Sequence, residues 1–314
     1  MTDRVRRVRP VTVKLEGRLA NAMNRRRAKT TGEEVPEDDK IVQYFGEDDD
    51  TPAMMLLKSS PPATRTHRGG ENLHVSDLIN KCVRRIVLSE RLSIRPPTEK
   101  IVEGQGITFA IGDAVHAYIT NRFIKGHPTK VYAEWGCACG RTKKTGMFSK
   151  ISKAVCDQCS TPLTKHHEVA FEHPDYPLTG SPDIVLRMDD HGAYFLVELK
   201  SISAAQFKEL VRPQPDHVIQ IVFYWHILKA NGWPLVDKVS ILYANKEFSF
   251  KLPYKEFLID PQEPGLLDPY MEDLKAVQDA RDGGPLPART FCQSIDSTEA
   301  KKCPVCVACF GVDE

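Results

Sequence analysis

Residues 180–200 read Gly-Ser-Pro-Asp-Ile-Val-Leu-Arg-Met-Asp-Asp-His-Gly-Ala-Tyr-Phe-Leu-Val-Glu-Leu-Lys, and this stretch decides the fold. Two apolar runs, Ile184 to Leu186 and Tyr194 to Val197, flank the polar tetrad Asp189-Asp190-His191-Gly192. That is the pattern of a β-hairpin. A four-residue loop sets Met188 against Ala193, and counting back sets Asp183 opposite Glu198. Opposed residues of an antiparallel pair share a face, and Lys200, two residues on, shares it too. Leu199 points the other way, toward a core. One face therefore gathers two carboxylates and an ammonium at the end of an apolar hairpin. Neighbouring carboxylates repel unless a cation lies between them. Oxygen ligands suit Mg or Mn. A lysine beside a hard metal can orient a water or offset a developing oxyanion. Taken alone, the same residues also read as a solvated strand end with an ordinary ion pair.

The chain of 314 residues is long enough for a sizeable core and one or two domains. A net charge of +1 gives no global nucleic-acid signature, but the charge is patterned. Arg4, Arg6, Arg7, Arg9, Arg18, Arg25, Arg26 and Arg27 crowd the start, and acids from Glu33 to Asp50 follow. Residues 1–70 read as a disordered, charged N-terminal arm ending in a Ser/Pro/Gly linker, with a DNA-contacting arm as the other reading. No run is apolar enough for a membrane span and no secretory segment is present, so the cytoplasm is expected. Nine cysteines, an odd number in tight clusters, suit metal binding in a reducing compartment better than disulfides.

Order is expected from Val75, with Ser76 capping a helix that carries Leu78, Ile79, Cys82, Val83 and Ile86. Cys82 there reads as a small core residue. Ile107 to Phe123 forms a helix with one continuous apolar stripe and His116 at its edge. His167 to Glu172 alternates and reads as the strand before the hairpin, with Glu168 and Glu172 facing solvent. Asp216 to Ala230 is apolar nearly all round, the mark of a buried helix, yet His217, Gln220 and Tyr224 share one stripe on it. Buried polar groups need partners, which a charged catalytic face would supply. Val239 to Ala244 reads as a buried strand paired with Phe248 to Leu252, and Leu267 to Arg281 as a helix stopped by Gly283-Gly284.

Cys137, Cys139, Cys156 and Cys159 form two close pairs around a turn-rich loop, the signature of a closed zinc site. This insert, residues 133–165, holds few large apolar residues, so the metal is expected to supply its stability. Lys143, Lys144, Lys150 and Lys153 decorate it. The tail, residues 285–310, holds Cys292, Cys303, Cys306 and Cys309, at spacings that fit an iron–sulfur cluster or a second zinc.

The ordered set resembles the RecB-like branch of the PD-(D/E)XK nucleases. Pro182-Asp183 and Glu198-Leu199-Lys200 match the name motif, Gly112 to His116 matches G-x-x-x-H, and Gln220 to Tyr224 matches Q-x-x-x-Y. The likeness covers roughly residues 75–310 and is similar to the iron–sulfur branch that includes the AddB subunit and the CRISPR-associated exonucleases, which bacteriophages also carry. It implies a mixed α/β sheet in the order α-β-β-β-α-β. It implies Mg or Mn held by His116, Asp183, Glu198 and the Leu199 carbonyl, with Lys200, Gln220 and Tyr224 completing the catalytic set. It further implies a [4Fe–4S] cluster on Cys82, Cys303 and Cys309, with Cys292 and Cys306 competing for one position. Most relatives lack the zinc insert. The implied activity is a DNA exonuclease acting on single strands or ends in a bacterial cytoplasm, alone, as an oligomer, or with a recombination or CRISPR-type partner. A metal-stapled DNA-binding module without catalysis is the alternative.

Overall fold

The computed structural model describes residues 64–65, 72–80, 82–94, 99–100, 103–188, 192–247 and 253–311. The chain divides into two units, Met1–Pro61 and Pro62–Glu314, and every described residue lies in the second. The charged arm expected over residues 1–70, apart from the strand residues 64–65, the hairpin tip 189–191 and the strand expected at 248–252 lie outside the described residues.

In chain order the elements begin with β1 (Thr64–Arg65), β2 (Leu73–His74), α1 (Val75–Asn80), α2 (Val83–Arg91), β3 (Glu99–Lys100) and α3 (Glu103–Gly126). Next come β4 (Val131–Gly136), β5 (Lys143–Met147), α4 (Phe148–Ile151), β6 (Lys165–His167), β7 (Phe171–Glu172) and β8 (Leu178–Gly180). The hairpin strands are β9 (Ile184–Arg187) and β10 (Tyr194–Ile202), followed by α5 (Ala204–Glu209), α6 (Pro215–Ala230), β11 (Val239–Asn245) and β12 (Tyr254–Ile259). The C-terminal part holds α7 (Asp268–Arg281), α8 (Thr298–Lys301) and α9 (Cys306–Gly311).

A seven-stranded mixed sheet runs β12-β11-β10-β9-β4-β5, with β6 also on β4. The β10–β11 pair is parallel and the other pairs are antiparallel. Parallel neighbours need a crossover, and α6 supplies it. Strand β10 is buried on both faces through Leu196, Val197, Glu198 and Leu199, as a central strand must be. Helix α6 starts with Pro215 in its first turn and buries Ile219, Ile221, Val222, Phe223, Tyr224, Trp225, Ile227 and Leu228. Each such apolar side chain contributes about 1.5–3 kcal/mol. One face of the sheet therefore carries α6 with Val185, Leu196, Ile241 and Tyr243, and the other carries Ile119 of α3 with Val197, Leu199 and Ala244.

Five sequence expectations change. The first helix is two: α1 begins at Val75 itself, and Cys82 stands in extended backbone before α2, outside either helix. In α3 the single stripe divides. Val115, Ile119 and Phe123 meet the sheet, whereas Ile107 (58 % exposed), Ile111 and Tyr118 (59 % exposed) do not. The strand next to the hairpin is β4, and His167 to Glu172 splits into the ends of two strands in different sheets. In the chain α3, β4, β9, β10, α6 and β11 follow one another in that order, with β5 to β8 and the short helices α4 and α5 between them. The partner of β11 is β12, beginning at Tyr254. Finally, the insert is not poor in core, since Trp135, Cys137, Cys156 and Leu163 are buried beside Phe148 and Ile151 in one cluster with Ile124 and Val131. Among the described residues no helix is long and apolar enough to cross a membrane.

Candidate active site and cysteine centres

The β9–β10 register runs from Arg187 opposite Tyr194 to Ile184 opposite Val197, and the Met188 N–H donates to the Ala193 carbonyl at 2.7 Å. The same count sets Asp183 across from Glu198 at the point where the ladder ends. Asp183 uses its Oδ2 to accept the Leu199 N–H at 2.6 Å, so its carboxylate is fixed by the backbone of the neighbouring strand. Its Oδ1 lies 3.6 Å from His116 Nδ1. Gly112, one turn earlier on α3, lies close to β10. A Cβ there would sit 3.2 Å from Ser201 Oγ.

Glu198 and Lys200 point to the α6 side of β10. Lys200 Nζ donates to Glu198 Oε1 at 2.8 Å and to Gln220 Oε1 at 2.8 Å, and Gln220 Nε2 donates to the Tyr224 hydroxyl at 2.7 Å. Glu198 is 3 % exposed, and its Oε2 is buried with no hydrogen-bond partner. Burial pushes the Glu198 carboxyl up to about 8; the charge of Asp183 adds to the rise and Lys200 opposes it. Burial pulls Lys200 down, but Glu198 and then Asp183 outweigh it and the net shift is upward, so the ammonium stays charged. The Tyr224 phenol is raised first by burial and then by Glu198, and stays neutral. Its ring lies against residue 180, where a Cβ would come within 2.5 Å of Tyr224 Cδ1. Only glycine leaves room for it.

Helix periodicity places Gln220 and Tyr224 on one stripe, but it cannot show the partner network on the far side of Lys200. Tyr243 lies level with Lys200 in the parallel pairing of β10 and β11. The Gln214 N–H donates to its hydroxyl at 3.0 Å, and that hydroxyl meets His217 Nδ1 at 2.7 Å. The hydroxyl and the ring nitrogen share one hydrogen bond, whose donor follows the His217 tautomer. Burial first, and Lys200 second, hold His217 down to about 4. Tyr243 sits in an apolar run and carries no sequence signal; only the parallel register reveals it. Glu168 is exposed, yet its charge is felt at both Glu198 and Tyr224.

Cys137, Cys139, Cys156 and Cys159 offer sulfurs that all lie within 4.8 Å of one another, so this group could hold a metal ion. Among the described residues no other set of three or more such ligands is as tightly grouped, so the His116, Asp183 and Glu198 donors form a more open arrangement. The sulfurs are also hydrogen-bonded. Thr142 N–H donates to Cys137 at 3.4 Å, Gln158 N–H donates to Cys156 at 3.4 Å, and the Thr142 hydroxyl contacts Cys156 at 3.1 Å. Such contacts orient metal ligands. The Thr142 backbone lowers the Cys137 thiol to about 7, and the Thr161 side chain lowers Cys159 to about 6.

The five other cysteines, Cys82, Cys292, Cys303, Cys306 and Cys309, line a single cavity of about 80 Å³ together with Arg85 and Arg289. Two arginines pin its wall. Arg84 donates to the Pro287 carbonyl at 2.9 Å and to the Cys309 carbonyl at 3.4 Å, and Arg289 donates to the same Cys309 carbonyl at 3.0 Å.

No family model matches the chain. No curated protein matches it in sequence. Among solved structures it is similar to an alkaline exonuclease (LHK-Exo) from Laribacter hongkongensis, at 13 % identity over 68 % of this chain and 89 % of that one, with a TM-score of 0.42. The same exonuclease in complex with dAMP gives 12 % identity, the same coverage and a TM-score of 0.42. The structure of SSO0001 gives 15 % identity over 70 % of this chain and 81 % of that one, with a TM-score of 0.34.

Proposed function

We propose that the chain is a divalent-metal-dependent deoxyribonuclease of the RecB-like PD-(D/E)XK type, acting as an exonuclease on single-stranded DNA or DNA ends. One observation carries the reading. Glu198 is buried with one oxygen on Lys200 and the other without a partner, beside a second carboxylate held in place by a backbone N–H. Burial holds the Glu198 carboxyl far above its usual range, so a divalent cation at its unpartnered oxygen would supply the positive charge that lets it ionise.

Glu198 Oε2, Asp183 Oδ1, His116 Nδ1 and the Leu199 carbonyl would hold Mg or Mn. The bound ion supplies Lewis acidity toward a phosphodiester oxygen and lowers the pKa of a bound water. Lys200, held between Glu198 and Gln220, keeps its positive charge at the acids and offsets negative charge developing at phosphorus. Gln220 fixes the lysine, and Tyr224, packed on Gly180, fixes Gln220. The tight cysteine group suits a structural zinc ion. The larger five-cysteine cavity suits an iron–sulfur cluster, which takes thiolate ligands and more volume than one ion.

The test is cleavage of end-labelled single- and double-stranded DNA with and without Mn. Asp183→Ala and Lys200→Ala should each lower the rate by roughly 10²-fold or more while iron, zinc and circular dichroism stay unchanged. Wild-type protein that binds DNA but yields no product with Mn would replace the nuclease with a binding module.

A further inference from the structure

We infer that His166, delivered by the strand that leaves the cysteine module, is a DNA-contacting residue of the candidate active site, donating a ring N–H to a phosphate oxygen of the strand being cut. The inference rests on the nuclease reading above. Strand β4 has two edges. Along one, β5 pairs from Tyr132 to Gly136. Along the other, β9 holds Val131 and Tyr132, and β6 holds Glu134, Trp135 and Gly136. The two short strands thus follow each other on one edge and meet at Ala133. Counted back along β9, Asp183 would fall opposite Glu134, a place that His167 already holds. Asp183 therefore leaves the β4 ladder beside the end of β6, and the module's outgoing strand ends at an acid of the site.

Pairing decides which β6 side chain turns inward. His166 lies opposite Trp135 and so shares its face, and the two rings meet edge to face with centroids 5.4 Å apart. Trp135 clusters with Ile124 of α3. His166 therefore occupies the α3 side, from which His116 also approaches Asp183. The charge of Asp183 is felt at His166. His167 takes the other face, against Gly136. The ring of His166 is half-buried, and among the described residues its nitrogens have no hydrogen-bond partner and are not sealed from solvent.

That leaves a donor without a task. Burial first, and His167 second, hold the His166 imidazole down to about 4, so the ring is neutral near pH 7 and one nitrogen carries a proton. A phosphate oxygen needs only such a donor. A second cation would need a carboxylate to share, and Asp183 has none to spare, since Oδ2 accepts the Leu199 N–H and Oδ1 faces His116. The cysteine module then has a part in the site, because Trp135 sets the angle of a ring that grips the substrate.

The full chain tests this as wild type, His166→Phe and His166→Gln. Phenylalanine keeps an aromatic edge on Trp135 and removes the donor, whereas glutamine restores a side-chain N–H. Cleavage of labelled single-stranded DNA with Mn, and equilibrium binding of the same strand with Ca in place of Mn, read the contact with and without reaction. His166→Phe should raise KM and Kd by roughly tenfold, the worth of one hydrogen bond to a charged group. Its kcat should stay within about twofold of wild type, and the Mn concentration for half-maximal rate should not move. His166→Gln should recover most of the loss, and circular dichroism reports that each variant has folded. Should the phenylalanine variant not fold, His166→Ala against His166→Gln repeats the comparison. Wild-type KM and Kd without the donor overturn the contact. A loss that glutamine does not recover marks a packing role and overturns it too, as does a raised Mn requirement, which identifies a metal ligand instead. Wild type that binds DNA with Ca but yields no product with Mn removes the nuclease reading, while the binding comparison still decides the contact. Wild type that neither binds nor cuts removes both.

Discussion

Gly180 and Tyr224 lie forty-four residues apart and act as one unit. The phenol ring occupies the space a side chain at 180 would take, so Gly180→Ala must push Tyr224, and through it Gln220, away from Lys200. Overpacking of this kind costs about 1–3 kcal/mol. The expected outcome is an unfolding midpoint lowered accordingly and a fall in cleavage rate without a matching rise in KM, checked by denaturant unfolding and steady-state kinetics. His217 makes a different prediction. Its ordinary pKa of 6.5 is depressed to about 4 in the folded chain. The unfolded chain therefore takes up a proton first as pH falls. The stability from neutral His217 is full above about pH 6.5 and is lost between there and about pH 4. Denaturant midpoints of wild type and His217→Gln should differ most near pH 7.5 and converge toward pH 5. The acids, the lysine and the polar stripe were legible in sequence because each follows a period of two or of 3.6. Tyr243 and the tight seat at Gly180 were not, because both depend on which elements meet.

At the scale of elements, the hairpin register was fixed by turn length and alternation alone. The strand beside it was misread because β6 and β7 are short and alternate by chance, whereas β4 lies upstream of the insert and reads as its approach. Strand β4 does both jobs. It pairs with β9 through Val131 and Tyr132, and with β5 and β6 through Glu134 to Gly136, before running into Cys137. The buried Trp135, whose indole donates to the Gly146 carbonyl at 2.8 Å, gives the insert a core that composition underrated. On the proposed zinc reading, removing the metal with a chelator, or Cys159→Ser, should therefore loosen the loops rather than the strands. Hydrogen exchange across residues 137–142 and 154–163 should quicken by roughly tenfold or more, while the amides of Leu196 to Leu199 stay protected.

The whole molecule closes on its own tail. Leu88 of α2 packs with Val305 and Cys309, Arg91 donates to the Ala280 carbonyl at 2.6 Å, and buried Arg84 reaches across to Pro287 and Cys309. Arg84→Met keeps the apolar stem but removes the charge-assisted bonds, each worth about 1.5–3 kcal/mol. The expected result is a tail that detaches first: limited proteolysis should cut within residues 285–300 well before the sheet unfolds and, on the proposed iron–sulfur reading, iron should be lost in parallel. Such a clamp was invisible in sequence, where Arg84 is one arginine of a charged helix, while the cysteine spacing that it serves could be read directly.

Strand β4 leaves one consequence for the proposed nuclease. Because the cysteine module grows out of the central sheet by an unbroken strand, its lysines cannot swing freely on a tether. Lys144, on the strand paired with β4, stands at a set reach from the hairpin, so a DNA backbone bound there by the proposed nuclease would meet Asp183 at a fixed offset.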